Sequence, residues 1–273
     1  MKSILVKFWL YNFLLLILLG LGCGKEKGIG SGEHNDSDAI KAIMNEYPTI
    51  FMGDIFDSQI ENPFYRQITK NEYWVKIDIK QPLIDTLYTD YANVDMIDSI
   101  KGVFHLFANQ KEYQKNFKGI SVVRAYLEKW GDDSEVHRGW LLKKVTGSDI
   151  TTLPDGAGFY KIKLTSPTYN YTLYPSSSTL LTLLKNILTL HSGDSLSLEI
   201  EPIDTIDLFY LHFWKGGRFY KRPFAKDTLG HFVTGCQISG TGYQHLFFDN
   251  VHYQISGDSL LSYKSHAWGA LFK

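Results

Sequence analysis

The chain of 273 residues contains only two cysteines, Cys23 and Cys236. This scarcity excludes the disulfide-dense secreted scaffolds, which need several bridges to stabilise a small core. Cys236 lies in the segment HFVTGCQI, where strand alternation places it on the same face as Phe232 and Ile238. We expect a thiol on that apolar face to be an inert small hydrophobic side chain, with a bond to Cys23 as the alternative.

The chain also lacks a large excess of positive or of negative charge, since its net charge is −1. If residues 1–22 are removed, Lys2 and Lys7 go with them, and 26 basic and 29 acidic residues leave a net charge of −3. A mildly acidic chain gives no electrostatic reason to expect nucleic acid as a partner.

Recognised catalytic motifs are absent as well: the chain has no G-x-S-x-G, H-E-x-x-H, C-x-x-C, P-loop or G-x-G-x-x-G. Because catalytic triads are defined by geometry and not by spacing, this removes the positive argument for an enzyme without excluding one. We predict no cofactor and no metal. His212, His231 and His245 lie in three predicted strands and could converge on a metal, but no carboxylate accompanies them at ligand spacing.

The longest apolar run, Phe8 to Leu21, is shorter than the roughly 20 residues that cross a bilayer. It follows Lys2 and Lys7 and ends in small residues before Cys23, which is the layout of a cleaved secretory signal over residues 1–22. A permanent transmembrane anchor that ends at Cys23 is the alternative.

The residues Leu19 to Cys23 resemble the lipobox of bacterial lipoproteins. Gly22 and Cys23 match its last two positions, whereas the usual leucine stands one place early, at Leu19, so ordinary signal cleavage before Cys23 is also compatible. The resemblance implies lipidation of Cys23 and attachment to a membrane of the bacterial cell envelope. An Asp directly after the lipidated cysteine favours retention in the inner membrane. Gly24 stands at that position here, so the resemblance implies the outer membrane. Residues 23–36 are Gly-rich and polar, and a flexible coil of that length spans roughly 20 Å.

Residues 37–150 predict a first, α+β domain. The segment DSDAIKAIMNEY has helical spacing, with Ser37 or Asp38 as the N-cap and Pro48 as the end. Five antiparallel strands follow in sequence order, with a bulge or bend at Gly102: EYWVKIDI, YANVDMID, KGVFHLFA, SVVRAYLEKW and GWLLKKVTG. This curved antiparallel sheet with an N-terminal helix resembles the cystatin-like or NTF2-like architecture, in which the helix fills the concave face.

One loop of this domain, EKWGDDSEVHRGW, is our candidate ligand-binding segment. Carboxylates and an imidazole meet there between two tryptophans, so it could bind a cation or a polar ligand. The alternative is a solvated hairpin tip that uses Gly and Asp for turn geometry. The candidate ligand-binding residues are Tyr126, Trp130, Asp132, Asp133, His137 and Arg138.

Residues 156–273 predict a second domain, a β-sandwich of about seven strands. Gly193, Asp194, Leu196, Leu198 and Ile200 resemble the start of a strand in bacterial extracellular immunoglobulin-like domains. The segment DLFYLHFW is apolar on both faces and predicts a central strand. Residues 178–191 fit either a helix or a strand.

Four aromatic residues of this domain, Trp214, Phe219, Tyr220 and Trp268, could form a platform for sugar rings or could simply fill the core. The sequence does not name a reaction, and the fold class alone does not select a function. We expect a non-catalytic binding or scaffolding module whose partner is another envelope protein or a glycan. The alternatives are a small-ligand or hydrolytic pocket in the first domain and a carbohydrate-binding surface.

Overall fold

The computed structural model describes residues 35–51, 63–84, 87–108, 110–152, 158–175, 182–203, 207–215, 218–252 and 263–273. The predicted signal segment, Cys23 and most of the predicted linker lie outside these ranges. The described part is mainly β, with one α-helix, α1 (Asp36–Glu46), and two short 3₁₀ turns, Val136–Gly139 and Leu184–Asn186. The strands are β1 Phe64–Lys80, β2 Asp90–Ala108, β3 Lys111–Lys129, β4 Trp140–Val145, β5 Ser148–Thr152, β6 Phe159–Thr165, β7 Asn170–Leu173, β8 Thr182–Leu183, β9 Ser195–Pro202, β10 Leu208–Lys215, β11 Arg218–Pro223, β12 Ala225–Lys226, β13 Phe232–Gln237, β14 Gln244–Val251 and β15 Ser265–Phe272.

Helix α1 confirms the helical pattern predicted for this segment. Ala39, Ile40, Ile43 and Met44 are buried, because apolar residues three and four apart share one face of a helix. The helix begins at Asp36, so the prediction that Ser37 or Asp38 caps it was wrong. Asp36 and Asp38 instead lie in the first turn, where negative charge interacts favourably with the helix dipole.

Strands β1 to β4 form an antiparallel meander, but its strands differ from the prediction. The two predicted segments YANVDMID and KGVFHLFA are parts of one strand, β2, and β1 begins at Phe64 in a stretch without a clear pattern. A bulge lies on β1 between Ile68 and Lys70, opposite Gly102. A Cβ at Gly102 would lie 2.5 Å from the carbonyl oxygen of Gln67, so the bulge requires glycine on the facing strand.

The strands belong to two antiparallel sheets. The larger has ten strands along the order β1-β2-β3-β5-β15-β14-β10-β11, with β4 and β8 attached at β3, and the smaller has the order β12-β13-β9-β6-β7. The smaller sheet packs on β10, β14 and β15 through an apolar core that includes Leu198, Leu211 and Phe248, a sandwich-like arrangement. The expected central strand, β10, lies between β14 and β11.

Parts of the second half differ from the predicted strand pattern. The last strand is β15, which begins at Ser265, whereas the predicted segment was LLSYKS. In the ambiguous segment 178–191, the described residues form the short strand β8 and a single 3₁₀ turn. This segment is therefore neither a regular helix nor a long strand in the part that is described.

The larger sheet continues across the boundary predicted between residues 150 and 156. Strand β5 pairs with β3 on one side and with β15 on the other, so it joins the two predicted halves in one sheet. Residues Asp36–Lys273 form one compact unit. The structure therefore does not confirm a division into two domains.

The larger sheet also curls, as contacts between its first strand, β1, and its last strands, β10 and β11, show. Phe64 of β1 packs edge to face on Tyr210 of β10, with ring centroids 4.8 Å apart. Lys221 of β11 donates a hydrogen bond to the carbonyl of Phe64. An aromatic core with Phe104 and Tyr263 fills the space enclosed at this end, while α1 covers the other end of the same concave face.

A fully buried ion pair crosses this interior. Arg66 of β1 is 2% exposed and Asp249 of β14 is 0% exposed, and the guanidinium donates two hydrogen bonds of 2.8 Å to the carboxylate. Arg66 also donates to the hydroxyl of Tyr263 at 2.6 Å, and His212 Nε2 lies 3.0 Å from Asp249 Oδ2. Burial would raise the pKa of Asp249, but Arg66 and His212 hold that pKa far below its ordinary value.

Removing one partner of this pair would leave a buried charge without compensation. We expect Arg66→Met or Asp249→Asn each to lower the free energy of unfolding by about 3–5 kcal/mol. The double variant removes both charges, so it should lose at least ~2 kcal/mol less than the sum of the two single variants. Urea unfolding followed by circular dichroism measures these values.

The control is Arg124 and Asp95, a half-exposed pair 3.4 Å apart on the outer face of the sheet. Arg124→Met and Asp95→Asn should each change the stability by no more than about 1 kcal/mol. Additive effects at Arg66 and Asp249, or losses as small as those of the control pair, would contradict the importance of the buried pair.

Stability should also depend on pH through His245 of β14. This ring is buried, and burial lowers its pKa from 6.5 to about 4. The unfolded chain therefore binds a proton that the folded chain does not, and stability that is complete above pH 6.5 should fall by roughly 3 kcal/mol as the pH drops to about 4. His245→Phe should flatten this part of the plot of stability against pH. The control variant His231→Gln, at an exposed histidine, should leave the plot unchanged. If both variants give the same plot, the pH dependence does not come from His245.

Candidate functional site

The loop EKWGDDSEVHRGW, predicted to bind a ligand, packs against α1. Asp36, the first residue of the helix, accepts hydrogen bonds from Lys129 at 3.1 Å and from Arg138 at 2.9 Å. Asp133 accepts from the same two side chains, with its bond from Lys129 measuring 2.6 Å. Arg138 and Asp133 are therefore engaged in a four-membered ion-pair network that fixes the start of the helix.

The same loop also reaches the other end of α1. His137 Nε2 lies 2.9 Å from the Oε1 atom of Glu46, the last residue of the helix. His137 and Arg138 have left-handed backbone angles, φ 51° and 53°, which cost about 1 kcal/mol or more in a residue other than glycine. Contacts with both ends of α1 hold this conformation, so the geometry of Asp133, His137 and Arg138 favours a structural role. Asp132 is exposed at the tip of the loop.

Tyr126 and Trp130 lie on the outer face of the sheet, away from α1. Along β3 the odd-numbered residues, such as Val123, Ala125 and Leu127, are buried against α1, while Tyr126 belongs to the alternate set on the outer face. Tyr126 therefore does not line a cavity under the helix. Its neighbours on the outer face define a group that we call the aromatic–lysine patch: Tyr88, Tyr91, Tyr126, Glu128, Trp130, Lys143 and Lys144.

The aromatic rings of the patch contact one another. The rings of Tyr91 and Tyr126 have centroids 5.7 Å apart and planes inclined by 31°, and the hydroxyl of Tyr126 donates to that of Tyr88 at 3.3 Å. The ring of Tyr88 lies 6.2 Å from that of Trp130, which is 44% exposed. Partial burial, with the Tyr88 hydroxyl, raises the pKa of Tyr126, so this phenol stays protonated at neutral pH.

Two lysines complete the patch. The Nζ atom of Lys143 lies 4.6 Å from the ring centroid of Trp130, and that of Lys144 lies 4.9 Å from the ring centroid of Tyr126. The indole N–H of Trp130 donates to Glu128 at 2.7 Å, which fixes the orientation of the ring. The patch thus combines oriented aromatic rings with two lysine cations, an arrangement that suits a ligand with flat apolar faces and negative charge.

Sequence reasoning identified two members of this patch and missed the other five. Tyr91 and Tyr126 alternate with buried residues on neighbouring strands, and this period of two could have placed both on the solvent side. The register of β2 and β3, which sets Asn93 opposite Tyr126, was needed to bring them together. Tyr88 precedes β2, and its position followed from no pattern.

Of the two possibilities for Trp214, Phe219, Tyr220 and Trp268, the structure does not support an aromatic platform. Trp268 is buried in the core between the sheets. Trp214 faces Phe219 across the β10–β11 pair, whereas Tyr220 pairs with Phe213 and stacks on it, so it projects to the opposite side of the sheet. The four rings therefore do not share one accessible face.

Cys236 and the histidines considered as metal ligands lie in separate places in the structure. Cys236 is buried among Phe232, Ile238 and other apolar residues, as predicted, and burial raises the pKa of its thiol to about 12. His212 binds Asp249, while His231 lies near Asp227 at 3.7 Å. Within the described residues, no three His, Cys, Asp or Glu side chains are placed to hold a metal ion.

Comparison with known proteins gives no match: no family model, no curated protein and no solved structure is significantly similar to this chain. Among the described residues, no helix has the length and apolar character that crossing a membrane requires.

Proposed function

We propose that this chain is a lipid-anchored protein of the bacterial cell envelope, attached to the outer membrane through Cys23, that acts as a non-catalytic binding module. Its binding surface is the aromatic–lysine patch, and its partner is an acidic glycan. The observation that supports this proposal best is the contact of Lys143 with the exposed ring of Trp130 and of Lys144 with the half-buried ring of Tyr126. The anchor itself rests on the sequence of residues 1–36.

The packing of the interior supports a module more than a hydrolase. Helix α1 covers one end of the concave face, and the aromatic core with Arg66 and Asp249 occupies the other. A groove of about 630 Å³ lies at the edge between α1 and the β1–β2 pair, with Met44, Phe51 and Met96 in its wall. Its described lining contains no carboxylate or histidine, and its only titratable side chains are Lys41 and Tyr73, which serve less often as general acids or bases.

The glycan assignment rests on the chemistry of the patch. Sugar rings present apolar C–H faces that stack on aromatic rings, and the lysines beside Trp130 and Tyr126 can pair with a carboxylate, phosphate or sulfate on the sugar. The alternative partner, another envelope protein, would bury the same rings without a need for negative charge.

Two features of the architecture belong to the same proposal. The first half would be a variant of the cystatin-like or NTF2-like plan, and the second half an immunoglobulin-like sandwich that shares strands with it. Both are supported by the placement of α1 on the meander and by the core between the two sheets.

The anchor predicts a change in location when Cys23 is replaced. Expressed in a bacterium that lipidates its envelope proteins, the wild-type chain should fractionate with membranes and begin at a Cys23 that carries acyl mass. Cys23→Ala should move the protein to the soluble fraction, whereas the buried-thiol variant Cys236→Ala should remain in the membrane. Mass spectrometry of the mature N-terminus measures this, and a mature chain without acyl mass would contradict the anchor.

The patch predicts selective binding of acidic polysaccharide. The protein should bind polygalacturonate and should bind its methyl ester, which lacks the charge, more weakly. Trp130→Ala should reduce the affinity about fivefold to tenfold, because ring stacking contributes roughly 1 kcal/mol. Affinity electrophoresis or calorimetry measures the effect.

Trp214→Ala provides the matched control, since Trp214 is 41% exposed, close to the 44% of Trp130, but lies outside the patch. It should leave the affinity unchanged. If neither polysaccharide binds, or if both variants lose affinity equally, the glycan assignment is wrong.

A further inference from the structure

The larger sheet forks at Thr146 and Gly147, between β4 and β5. On one side of the fork β4 pairs with β8, and on the other β5 pairs with β15. Beyond the fork, β15 continues to Phe272, which forms an isolated bridge with Leu188. The segment around residues 182–188 thus lies between the two branches, and we call the space where they diverge the apex of the fork.

A cavity of about 160 Å³ occupies this apex, under the β6–β7 edge of the smaller sheet. Buried apolar side chains, including Leu164, Leu246 and Phe272, form much of its wall. Thr182 and Asn186 lie at its exposed rim. None of its described lining residues carries a charge, so the cavity suits a neutral ligand. A site of this volume accommodates a ring of about six carbon atoms.

One polar group in the wall lacks a partner. The indole N–H of Trp268 is buried and has no hydrogen-bond acceptor among the described residues, and the side chain as a whole is 7% exposed. This nitrogen lies next to Gly147, another wall residue: a Cβ added there would be 3.4 Å from Nε1. A buried donor left unpaired destabilises the folded chain, and a ligand oxygen that accepts from it would remove this penalty.

We propose that this cavity binds a small, neutral, mainly apolar molecule that carries one hydrogen-bond acceptor, with the Trp268 N–H as the donor that selects it. The apolar wall supplies the affinity, and the single donor supplies the preference for an oxygen-bearing ring or chain end. This site is separate from the aromatic–lysine patch and does not depend on the proposed glycan binding.

The test uses two probes of similar size and shape, cyclohexanone and methylenecyclohexane, which differ in whether an oxygen is present. Titration of the mature chain is followed by the ¹H–¹⁵N signal of the Trp268 indole. Cyclohexanone should shift this signal saturably and should bind about fivefold or more tightly than methylenecyclohexane, because one hydrogen bond contributes roughly 1 kcal/mol. An apolar cavity without a donor would prefer methylenecyclohexane, which is the more hydrophobic probe.

Two variants separate the donor from the cavity. Trp268→Phe removes the N–H and keeps an aromatic ring, so the preference between the probes should reverse, as measured by protein-detected methyl shifts. Ala270→Leu, in the cavity wall, should weaken both probes at least tenfold, while the matched Ala225→Leu on the exposed strand β12 should change neither.

The proposal is overturned if neither probe gives a saturable shift, if the preference is the same in Trp268→Phe, or if Ala270→Leu binds both probes as the wild type does. Circular dichroism of each variant establishes that the fold is retained. Should Trp268→Phe fail to fold, the probe preference in the wild type and the pair Ala270→Leu and Ala225→Leu still decide the outcome.

Discussion

The rest of the structure depends on the ion pair between Arg66 and Asp249. The two residues are 183 positions apart, one on β1 and the other on β14, and both are withdrawn from water. Each charge can be buried only if the other is present, because an isolated ion in an apolar interior costs several kcal/mol. The pair therefore favours a sheet that curls far enough to bring β1 against β14, and together with β5 it links the first and second halves of the chain.

This constraint determines which surfaces remain for binding. The concave face of β1 to β3 is occupied by α1 at one end and by the ion pair with its aromatic neighbours at the other. The charged loop 130–139 is attached to both ends of α1 through Asp36 and Glu46. Binding groups that are free to meet a partner therefore lie mainly on the outer face, where Tyr126 and Trp130 project.

The sequence predicted the features that depend on neighbouring residues. The face of α1, the central position of β10 and the burial of Cys236 all follow from local periodicity. The pairing of Arg66 with Asp249 does not, since no local pattern connects two positions so far apart. Strand β15 was missed because small residues such as Gly269 interrupt its alternation, and they do so because the ring of Phe247 packs there: a Cβ at Gly269 would lie 2.6 Å from it.

At the candidate sites, too, the sequence indicated residues that are close in the chain but not the contacts that depend on strand pairing. Tyr126 and Trp130 are four residues apart, and the sequence identified both, whereas the lysines that contact them come from β4 and depend on the bulge in the β3–β4 pair. The cavity beside Trp268 depends on a fork in the sheet, which arises because β3 is long enough to pair with β4 and β5 in succession. Strand β2 pairs with all 19 residues of β3 on one edge, but on the other edge β4 and β5 each pair with only part of it. Where these two partners diverge, side chains must fill the gap or leave space for a ligand.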